Sequence, residues 1–282
     1  MRKVFLILLV LWTVISAWQP CRAEVDLEIL HSLPLQAEPL DLAVSDDGLW
    51  IYVLTDDARL HIYALGGEPK GTLAVPKGVR RIAGAPGEDM ILMANPAAKT
   101  IEMARVSLEH TFSFEGSPTL GPANAPVTLT LFTDFECAYC ARLAPILEEV
   151  HQAYPEKVRI VFKNYPLQRI HRNAVPAAMA ALAAHEQGQF WPFHDRLFEN
   201  YDQLSPGKID EIREELGLDA DRFRARMNDP ALQQLIRRDM EEGNAAGLRG
   251  TPTVYINGKT YRGPRSLEGF KEAIEAVLAE TD

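Results

Sequence analysis

Cysteine is scarce in this chain, which contains three cysteines among 282 residues. Cys137 and Cys140 are separated by only two residues, too close to cross-link distant segments of a fold. The composition is otherwise that of an ordinary globular protein, with 47% hydrophobic and 24% charged residues, and it gives no sign of disorder. A chain of this length is long enough for two domains, each with its own core.

Basic residues are also fewer than acidic residues. The chain has 29 Lys and Arg residues against 39 Asp and Glu residues, a formal net charge of −10. Proteins that bind nucleic acid usually carry an excess or a patch of basic residues, so the composition argues against a nucleic-acid partner. The acidic residues form no block that would mark a binding tail, and they are interpreted as a solubilising surface.

Long hydrophobic runs are absent except near the start of the chain. Residues 4–15 are apolar, follow two basic residues and lead to a small-residue cleavage site at Ala23. This pattern predicts a signal peptide over residues 1–23 and export to a bacterial periplasm. An uncleaved anchor is the alternative, although a bilayer span needs roughly 20 apolar residues. Lipid attachment at Cys21 is disfavoured because Pro20 precedes it.

Cleavage after Ala23 would leave Cys137 and Cys140 as the only cysteines of the mature chain. An exported protein with one tightly spaced pair is expected to use that pair for chemistry rather than for stability. The alternative is one half of a zinc site, which requires four ligands at set spacings. The seven histidines form no recognisable second pair of ligands.

The residues around the pair predict a strand followed by a helix. Residues 127–132 alternate aliphatic and hydroxyl side chains, whereas Leu143, Leu147 and Val150 recur at helical spacing. Cys137 is therefore expected at a helix N-terminus, where free amide groups and the helix dipole stabilise a thiolate. A thiolate is the attacking species in disulfide exchange, so the pattern favours a dithiol redox centre.

Residues 24–115 predict a small all-β domain made of short strands separated by turns. The expected strands are residues 28–33, 40–44, 50–54, 60–64, 72–75, 81–85, 90–94, 100–105 and 110–114. Residues 42–48 align with residues 82–88 in a repeat of roughly 40 residues, and the repeat resembles a blade of the β-propeller families. Two blades cannot close a ring, so they form either a small open pair of sheets or an assembly of several subunits.

A second region begins after a Gly-, Pro- and Ala-rich stretch at residues 116–126, which predicts a linker. Residues 127–282 read as α/β: two apolar strands, then helices over residues 173–187, 190–200, 208–216, 221–227 and 231–246. A strand at 253–256, a turn and a last helix at 267–278 complete the chain.

Three motifs in this order resemble the DsbA-like branch of the thioredoxin superfamily. They are Leu120-Gly121-Pro122, the run Phe132-Thr133-Asp134-Phe135-Glu136-Cys137-Ala138-Tyr139-Cys140, and Gly250-Thr251-Pro252-Thr253. The resemblance covers about residues 117–280. It implies an α/β thioredoxin fold with a helical insertion at about residues 165–246, preceded here by the small all-β domain.

The resemblance also implies roles for individual residues. Cys137 would be the nucleophile that forms the mixed disulfide, and Cys140 would be the more buried resolving thiol. Pro252 would follow a cis peptide bond, and the Thr251 backbone would pair with an extended substrate segment. Ala138 and Tyr139, between the two cysteines, would tune the redox poise. Tyr139 as a merely exposed aromatic residue is the alternative.

One position departs from the pattern of the family. Leu131 stands where many thioredoxin-fold enzymes have a buried acid that serves the resolving thiol. Asp134 or Glu136 is a possible substitute, but the ordinary expectation is that both are exposed loop carboxylates. His171 is expected to pack or cap. The aromatic group that includes Phe190 is expected to form a helical core; the group is Phe190, Trp191, Phe193 and Phe198.

The sequence thus predicts an exported thiol:disulfide oxidoreductase that needs no dissociable cofactor beyond a redox-active Cys137–Cys140 disulfide. Its expected partners are unfolded or misoxidised client proteins and a recycling protein in the membrane. A homo-oligomer through residues 24–115 is a further expectation. Oxidase, isomerase and reductase directions all stay open. The rival hypothesis is a metal-holding or ligand-binding exported protein that uses the β domain and exchanges no disulfides.

Overall fold

A computed structural model describes residues 26–86 and 89–281. The expected signal peptide, including Cys21, lies outside these residues. The described chain folds into a small all-β domain followed by an α/β thioredoxin fold with a helical insertion, so the expected fold class is confirmed.

The β domain consists of two antiparallel sheets. The first contains β1 (Pro39–Val44), β2 (Trp50–Thr55), β3 (Arg59–Ala64) and β4 (Pro69–Ala74), in that order. The second contains β5 (Arg81–Gly84), β6 (Met90–Asn95) and β7 (Thr100–Arg105). β2 and β6 begin roughly 40 residues apart, which is the period of the repeat.

The two sheets share one apolar core. Tyr52 and Leu54 from the first sheet are buried together with Ile91 from the second. β5 approaches β1 closely: the amide of Ile82 donates to Asp41 Oδ2 at 2.9 Å. Each sheet alone would leave its inner face in water, so the shared core makes the pair a single folding unit.

Two predicted strands do not form. Residues 28–33 are irregular, with Ile29 and Leu30 highly exposed, because no strand edge pairs with them in the described structure. Residues 110–114 also form no strand; Phe112 is instead buried against Phe132 and Tyr255 of the next domain. The second sheet therefore has three strands, whereas the first has four. The segment that connects the two domains packs against the thioredoxin domain through Phe112.

The thioredoxin sheet has five strands in the order β12-β11-β9-β10-β8. β9 (Val127–Thr133) is central and pairs in parallel with β10 (Val158–Asn164), with α1 (Ala138–Ala153) between them in sequence. β11 (Thr253–Ile256) is antiparallel to β9 and turns into β12 (Lys259–Thr260). β8 (Thr119–Leu120) pairs with β10 inside the segment expected to be a linker, so the structure differs from that expectation.

Five helices form the insertion between β10 and β11, and α7 (Leu267–Thr281) ends the fold. They are α2 (Ala174–His185), α3 (Phe190–Glu199), α4 (Pro206–Glu215), α5 (Ala220–Met227) and α6 (Pro230–Ala245). Ser205, Asp219 and Asp229 cap the last three of these five, each accepting from a first-turn amide. The expected aromatic core is confirmed: Phe190, Phe193 and Phe198 are buried, and the half-buried Trp191 packs against it.

A buried ion pair fastens the insertion to the sheet. Lys163 at the end of β10 is fully buried, and its Nζ donates to Asp239 Oδ1 and Glu242 Oε2, each at 2.9 Å. The same amine also donates to the carbonyl of Ser113, in the segment that leaves the β domain. A buried lysine requires such partners because an unpaired charge in a protein interior is very costly. The network therefore holds α6, the central sheet and the interdomain segment together.

Candidate active site

Cys137 lies where β9 passes into α1. Its backbone is extended (φ −84°, ψ 116°) at the N-cap, and α1 begins at Ala138. Cys137 is only 6% exposed and Cys140, one turn into the helix, is 2% exposed. Tyr139, between the two cysteines, is 63% exposed, so its aromatic ring is the main solvent-exposed side chain of the motif.

The loop before β11 brings Thr251 and Pro252 to the same place. The Thr251–Pro252 peptide bond is cis, as the resemblance implied. The Cys137 Sγ lies 3.4 Å from the Thr251 carbonyl oxygen, to which the protonated thiol form of Cys137 can donate. The cysteine pair and the Thr251–Pro252 pair, more than a hundred positions apart in sequence, therefore lie together. Ala138 and Tyr139 lie between the two cysteines.

The pKa values of the two thiols are shifted in opposite directions. A hydrogen bond from the Cys140 thiol, assisted by the Thr251 side chain and by the amides of Cys140 and Tyr139, lowers the pKa of Cys137 to about 5, against the opposing effect of burial. Burial, together with that same hydrogen bond, raises the pKa of Cys140 above its usual range. Cys137 is thus a thiolate at neutral pH, whereas Cys140 keeps its proton.

Asp134 is not an exposed loop carboxylate, so that expectation is wrong. It is 2% exposed, and its oxygens accept from the amides of Glu136 and Leu167 at 2.8 and 2.6 Å. His171 Nδ1 lies 2.9 Å from Asp134 Oδ2. Buried carboxylates need such donors, so Asp134 serves to tie the loop after β10 to the start of the cysteine motif.

The Glu136 carboxylate is also hydrogen-bonded within the protein. Its carboxylate accepts from the backbone amide and the side-chain amide of Asn173, at 2.6 and 3.0 Å. Leu131 is buried in the apolar core, at 4% exposure, which agrees with its apolar character in the sequence. The polar group that faces the resolving thiol is the Thr133 hydroxyl, which opposes the rise in the pKa of Cys140.

The β domain contributes to the surroundings of the site. A cavity of about 400 Å³ lies between its turn at Asp47 and Leu49 and the loop that carries Thr251 and Pro252. Arg249 donates to the Asp47 carbonyl oxygen across this junction, and Arg262 of the thioredoxin domain pairs with Asp89. The β domain therefore forms one wall of a cavity beside the cis-proline loop.

Sequence reasoning did not identify three residues of this region: Thr133, Arg249 and Arg265. Arg265 donates to the Pro252 carbonyl oxygen at 2.9 Å. Thr133 lies inside the quoted cysteine motif, although no role was assigned to it, and Arg249 directly precedes Gly250, so their position in the sequence was a usable signal. Nothing in the sequence connects Asp47 with the cis-proline loop, because they are about 200 residues apart.

Residues 26–86 and 89–281 contain no group of three or more His, Cys, Asp or Glu side chains placed to hold a metal ion. Over the same residues, no helix combines the length and apolarity that a bilayer crossing requires.

Comparison with known families supports the fold assignment. A family model described as Thioredoxin matches residues 113–276. A periplasmic thioredoxin-like protein from Salmonella enterica serovar Typhimurium is 26% identical with a TM-score of 0.52, over 58% of this chain and 91% of that chain. The thiol-disulfide exchange protein α-DsbA2 from Wolbachia pipientis shares the fold at 22% identity and a TM-score of 0.53, over 57% of this chain and 87% of that chain.

A sequence relative of another kind is the Na(+)/H(+) antiporter NhaA 3 of Salinispora tropica, which is 38% identical over 159 residues. The match covers 56% of this chain but only 24% of the antiporter. The chain therefore spans about a quarter of the length of this curated relative.

Proposed function

The chain belongs to the thioredoxin family, and from this premise we propose that it is a DsbA-like protein that exchanges disulfides with client proteins. The observation that carries the proposal is the pairing of a low-pKa thiolate with a buried, protonated thiol beside a cis-proline loop. This arrangement supplies an attacking sulfur, a resolving sulfur and a backbone edge for the substrate.

The proposed reaction proceeds in two balanced steps. The Cys137 thiolate attacks one sulfur of a client disulfide, which forms a mixed disulfide and releases the other client sulfur as a thiolate that takes up a proton. Cys140 then loses its proton and attacks the Cys137 sulfur, which releases the second client thiol. The client gains two electrons and the Cys137–Cys140 pair loses two. Oxidation of a client is the same sequence in reverse.

We assign the physiological direction to oxidation of clients. A thiolate that is stabilised in the reduced protein makes the disulfide form a stronger oxidant. The folded pKa of Cys137 is about 5, below the roughly 8.5 of an unfolded cysteine. The stabilisation of the reduced form is therefore fully present above about pH 8.5 and is lost as the pH falls through 5.

The remaining residues have supporting roles. The backbone of Thr251, next to Pro252, pairs with an extended client segment, as in strand addition. Ala138 and Tyr139 tune the poise, because the amides of the first helical turn face the Cys137 sulfur. No dissociable cofactor takes part in this scheme.

We also propose that the protein is exported to a bacterial periplasm and is reoxidised by a membrane protein. The apolar segment at residues 4–15 supports export, as does the printed periplasmic description of the Salmonella neighbour. Self-association through residues 24–115 is the third part of this proposal. It is supported by apolar side chains on the outward faces of the β sheets: Leu42 is 67% exposed and Ile101 is 77% exposed.

Replacement of Cys140 by serine tests the proposed exchange. Without its resolving thiol, the protein should retain mixed disulfides with clients on Cys137, visible on non-reducing gels and absent after Cys137→Ser is added. A metal-holding protein would instead lose bound metal and form no adducts. The absence of adducts in cells that contain oxidised client proteins would refute disulfide exchange. A measured reduction potential near that of thioredoxin would refute the oxidising direction.

A further inference from the structure

The two β sheets are successive copies of one unit, so each strand position in the first sheet has an equivalent in the second. β2 and β6 begin at residues 50 and 90, and β3 and β7 begin at residues 59 and 100. Tyr52 of β2 pairs with Ile62 of β3. Leu92 of β6, at the position equivalent to Tyr52, pairs with Met103 of β7. The strand pairing therefore makes Ile62 equivalent to Met103.

Side chains of a strand point alternately to the two faces of its sheet, so the repeat defines a front face and a back face for each sheet. The front face of the first sheet contains Tyr52, Leu54, Leu60 and Ile62. The back face of the first sheet contains Leu42, Val44, Ile51 and Val53. At equivalent positions, the front face of the second sheet contains Leu92, Ala94, Ile101 and Met103. The back face of the second sheet contains Ile82, Ile91 and Met93. Each of the four faces therefore carries a group of apolar side chains.

Within the chain, the front face of the first sheet packs against the back face of the second. The side chains of these two faces belong to one buried cluster. Leu60 and Ile82, on opposite sides of this contact, are 1% and 7% exposed. Their equivalents lie at the two ends of the stack and are open to solvent: Ile101 is 77% exposed and Leu42 is 67% exposed. Positions that form the core inside the chain are thus uncovered at both ends of the stack.

The thioredoxin domain covers neither exposed face in the described part of the chain. It contacts the β domain at the turn between β1 and β2, where Arg249 donates to the Asp47 carbonyl oxygen. It also contacts the turn between β5 and β6, where Arg262 pairs with Asp89. The two turns are equivalent in the repeat, so the thioredoxin domain lies at one end of both sheets. The exposed front and back faces therefore stay accessible to another chain.

We infer that the exposed front face of one chain packs against the exposed back face of a second copy, and that successive chains close into a ring of sheets. The inference rests on the proposed self-association through residues 24–115 and deepens it by assigning the two faces that meet. The internal contact between the sheets shows that this sequence forms such an interface. The contact joins two different faces, and repeated contacts of that kind generate closed rings or open filaments.

The repeat also sets the size of the ring. Propellers typically contain about four to eight blades around a central axis. With two sheets in each chain, such a ring contains about two, three or four chains. In a closed ring no chain keeps an exposed front or back face, whereas an open filament leaves one of each at its ends. Closure is therefore favoured over a filament.

The contact between chains cannot repeat the internal contact at one position. Gly84 of β5 approaches β1 so closely that an added Cβ would lie 2.4 Å from the Val44 carbonyl oxygen. Val44 is itself the equivalent of Gly84 in the first sheet, and it carries a side chain. Two chains are therefore expected to meet through the apolar side chains of their faces, with the facing strands further apart than β1 and β5 are within one chain.

Native mass spectrometry of the full-length protein at micromolar concentration measures the assembly. The parent protein should give one discrete species of about two, three or four chains. Ile101→Lys places a charge on the exposed front face, and Leu42→Lys places one on the exposed back face. Each variant should need at least about tenfold more protein than the parent to assemble, because a lysine would be buried in an apolar contact. Ile29→Lys is the matched control: Ile29 is also 77% exposed but lies in no strand, and the variant should keep the parent assembly.

An equimolar mixture of the two face variants distinguishes a front-to-back contact from a contact between like faces. Ile101→Lys keeps an intact back face, and Leu42→Lys keeps an intact front face. One intact contact can therefore form between the variants, and a pair with one chain of each should appear when one variant is isotopically labelled. This pair cannot close into a ring, because its two remaining faces both carry the lysine. Its formation also shows that both variants are folded.

The outcomes separate the ring from self-association in general. Loss of assembly in only one of the two face variants, or variants that do not pair when mixed, would overturn the front-to-back contact and leave self-association intact. Loss of assembly in Ile29→Lys would overturn the assignment to the two faces. A parent protein whose size grows without limit with concentration would overturn closure. A monomeric parent protein would refute self-association, and the ring with it. Reaction with 2-hydroxyethyl disulfide is measured in parallel, so a defect in exchange at Cys137 is detected separately.

Discussion

The low pKa of Cys137 depends first on a hydrogen bond from the Cys140 thiol, so removal of that donor should raise it. A hydrogen bond to a charged group contributes about 1.5–3 kcal/mol, and one pH unit corresponds to about 1.4 kcal/mol. In Cys140→Ala, the pKa of Cys137 should therefore rise by about one to two pH units, from about 5 in the parent protein.

Alkylation with iodoacetamide measures this change, because only the thiolate reacts at an appreciable rate. The reduced parent protein should reach half of its maximal rate near pH 5, and Cys140 should stay unmodified because burial raises its pKa and keeps the thiol protonated. At pH 5 the alanine variant should react about five to fifty times more slowly than the parent. At pH 8.5 the two proteins should react equally, since Cys137 is a thiolate in both.

Cys140→Ser is the matched control, because serine retains a hydroxyl donor at the same position. Its midpoint should lie below that of the alanine variant. A midpoint near pH 5 in Cys140→Ala would refute the role of the hydrogen bond. A midpoint near pH 8.5 in the parent protein would refute the stabilised thiolate, and with it the argument for an oxidising direction.

Three further predictions concern stability and assembly. Lys163→Met removes the amine that contacts buried Asp239 at 2.9 Å and leaves only Arg238, at 3.8 Å, so it should lower the free energy of unfolding by about 3–5 kcal/mol in urea titrations. Addition of Asp239→Asn should recover part of the loss, and a stable single variant would contradict the role of the pair. Gly84→Ala would place a Cβ 2.4 Å from a carbonyl oxygen of β1 and should cost about 1–3 kcal/mol. Gly71→Ala, whose Cβ meets nothing within 4 Å, is the control and should show no clash penalty. Light scattering at micromolar concentration should show more than one chain per particle, and Ile101→Lys should weaken that association. A monomeric parent protein would contradict self-association.

Elements that depend on one segment alone were predictable from the sequence, whereas elements that must pair with another segment were not. Helix bounds in the insertion were predictable to within about two residues, because periodicity and capping residues such as Asp229 lie within the helix itself. The predicted strands at residues 28–33 and 110–114 failed. A strand requires an edge to pair with, and the sequence of one segment does not show whether an edge is available.

The same distinction applies to the carboxylates near the site. Asp134 and Glu136 looked like exposed loop residues, because acidic residues in a loop usually are. The burial of Asp134 and the hydrogen bonds of both carboxylates depend on the loop at residues 167–173, which supplies donors to each of them. That loop is more than thirty positions away and carries no motif that indicates the contact.

The sequence by itself determined the chemistry that is proposed here. A Cys-x-x-Cys pair after an alternating strand places one sulfur at a helix N-terminus, and this follows from chain order alone. Tertiary structure decided the surroundings: the burial that separates the pKa values of the two thiols, and the β-domain turn that lies beside the cis-proline loop. These features depend on contacts between residues that lie far apart in sequence, and only the folded chain brings such residues together.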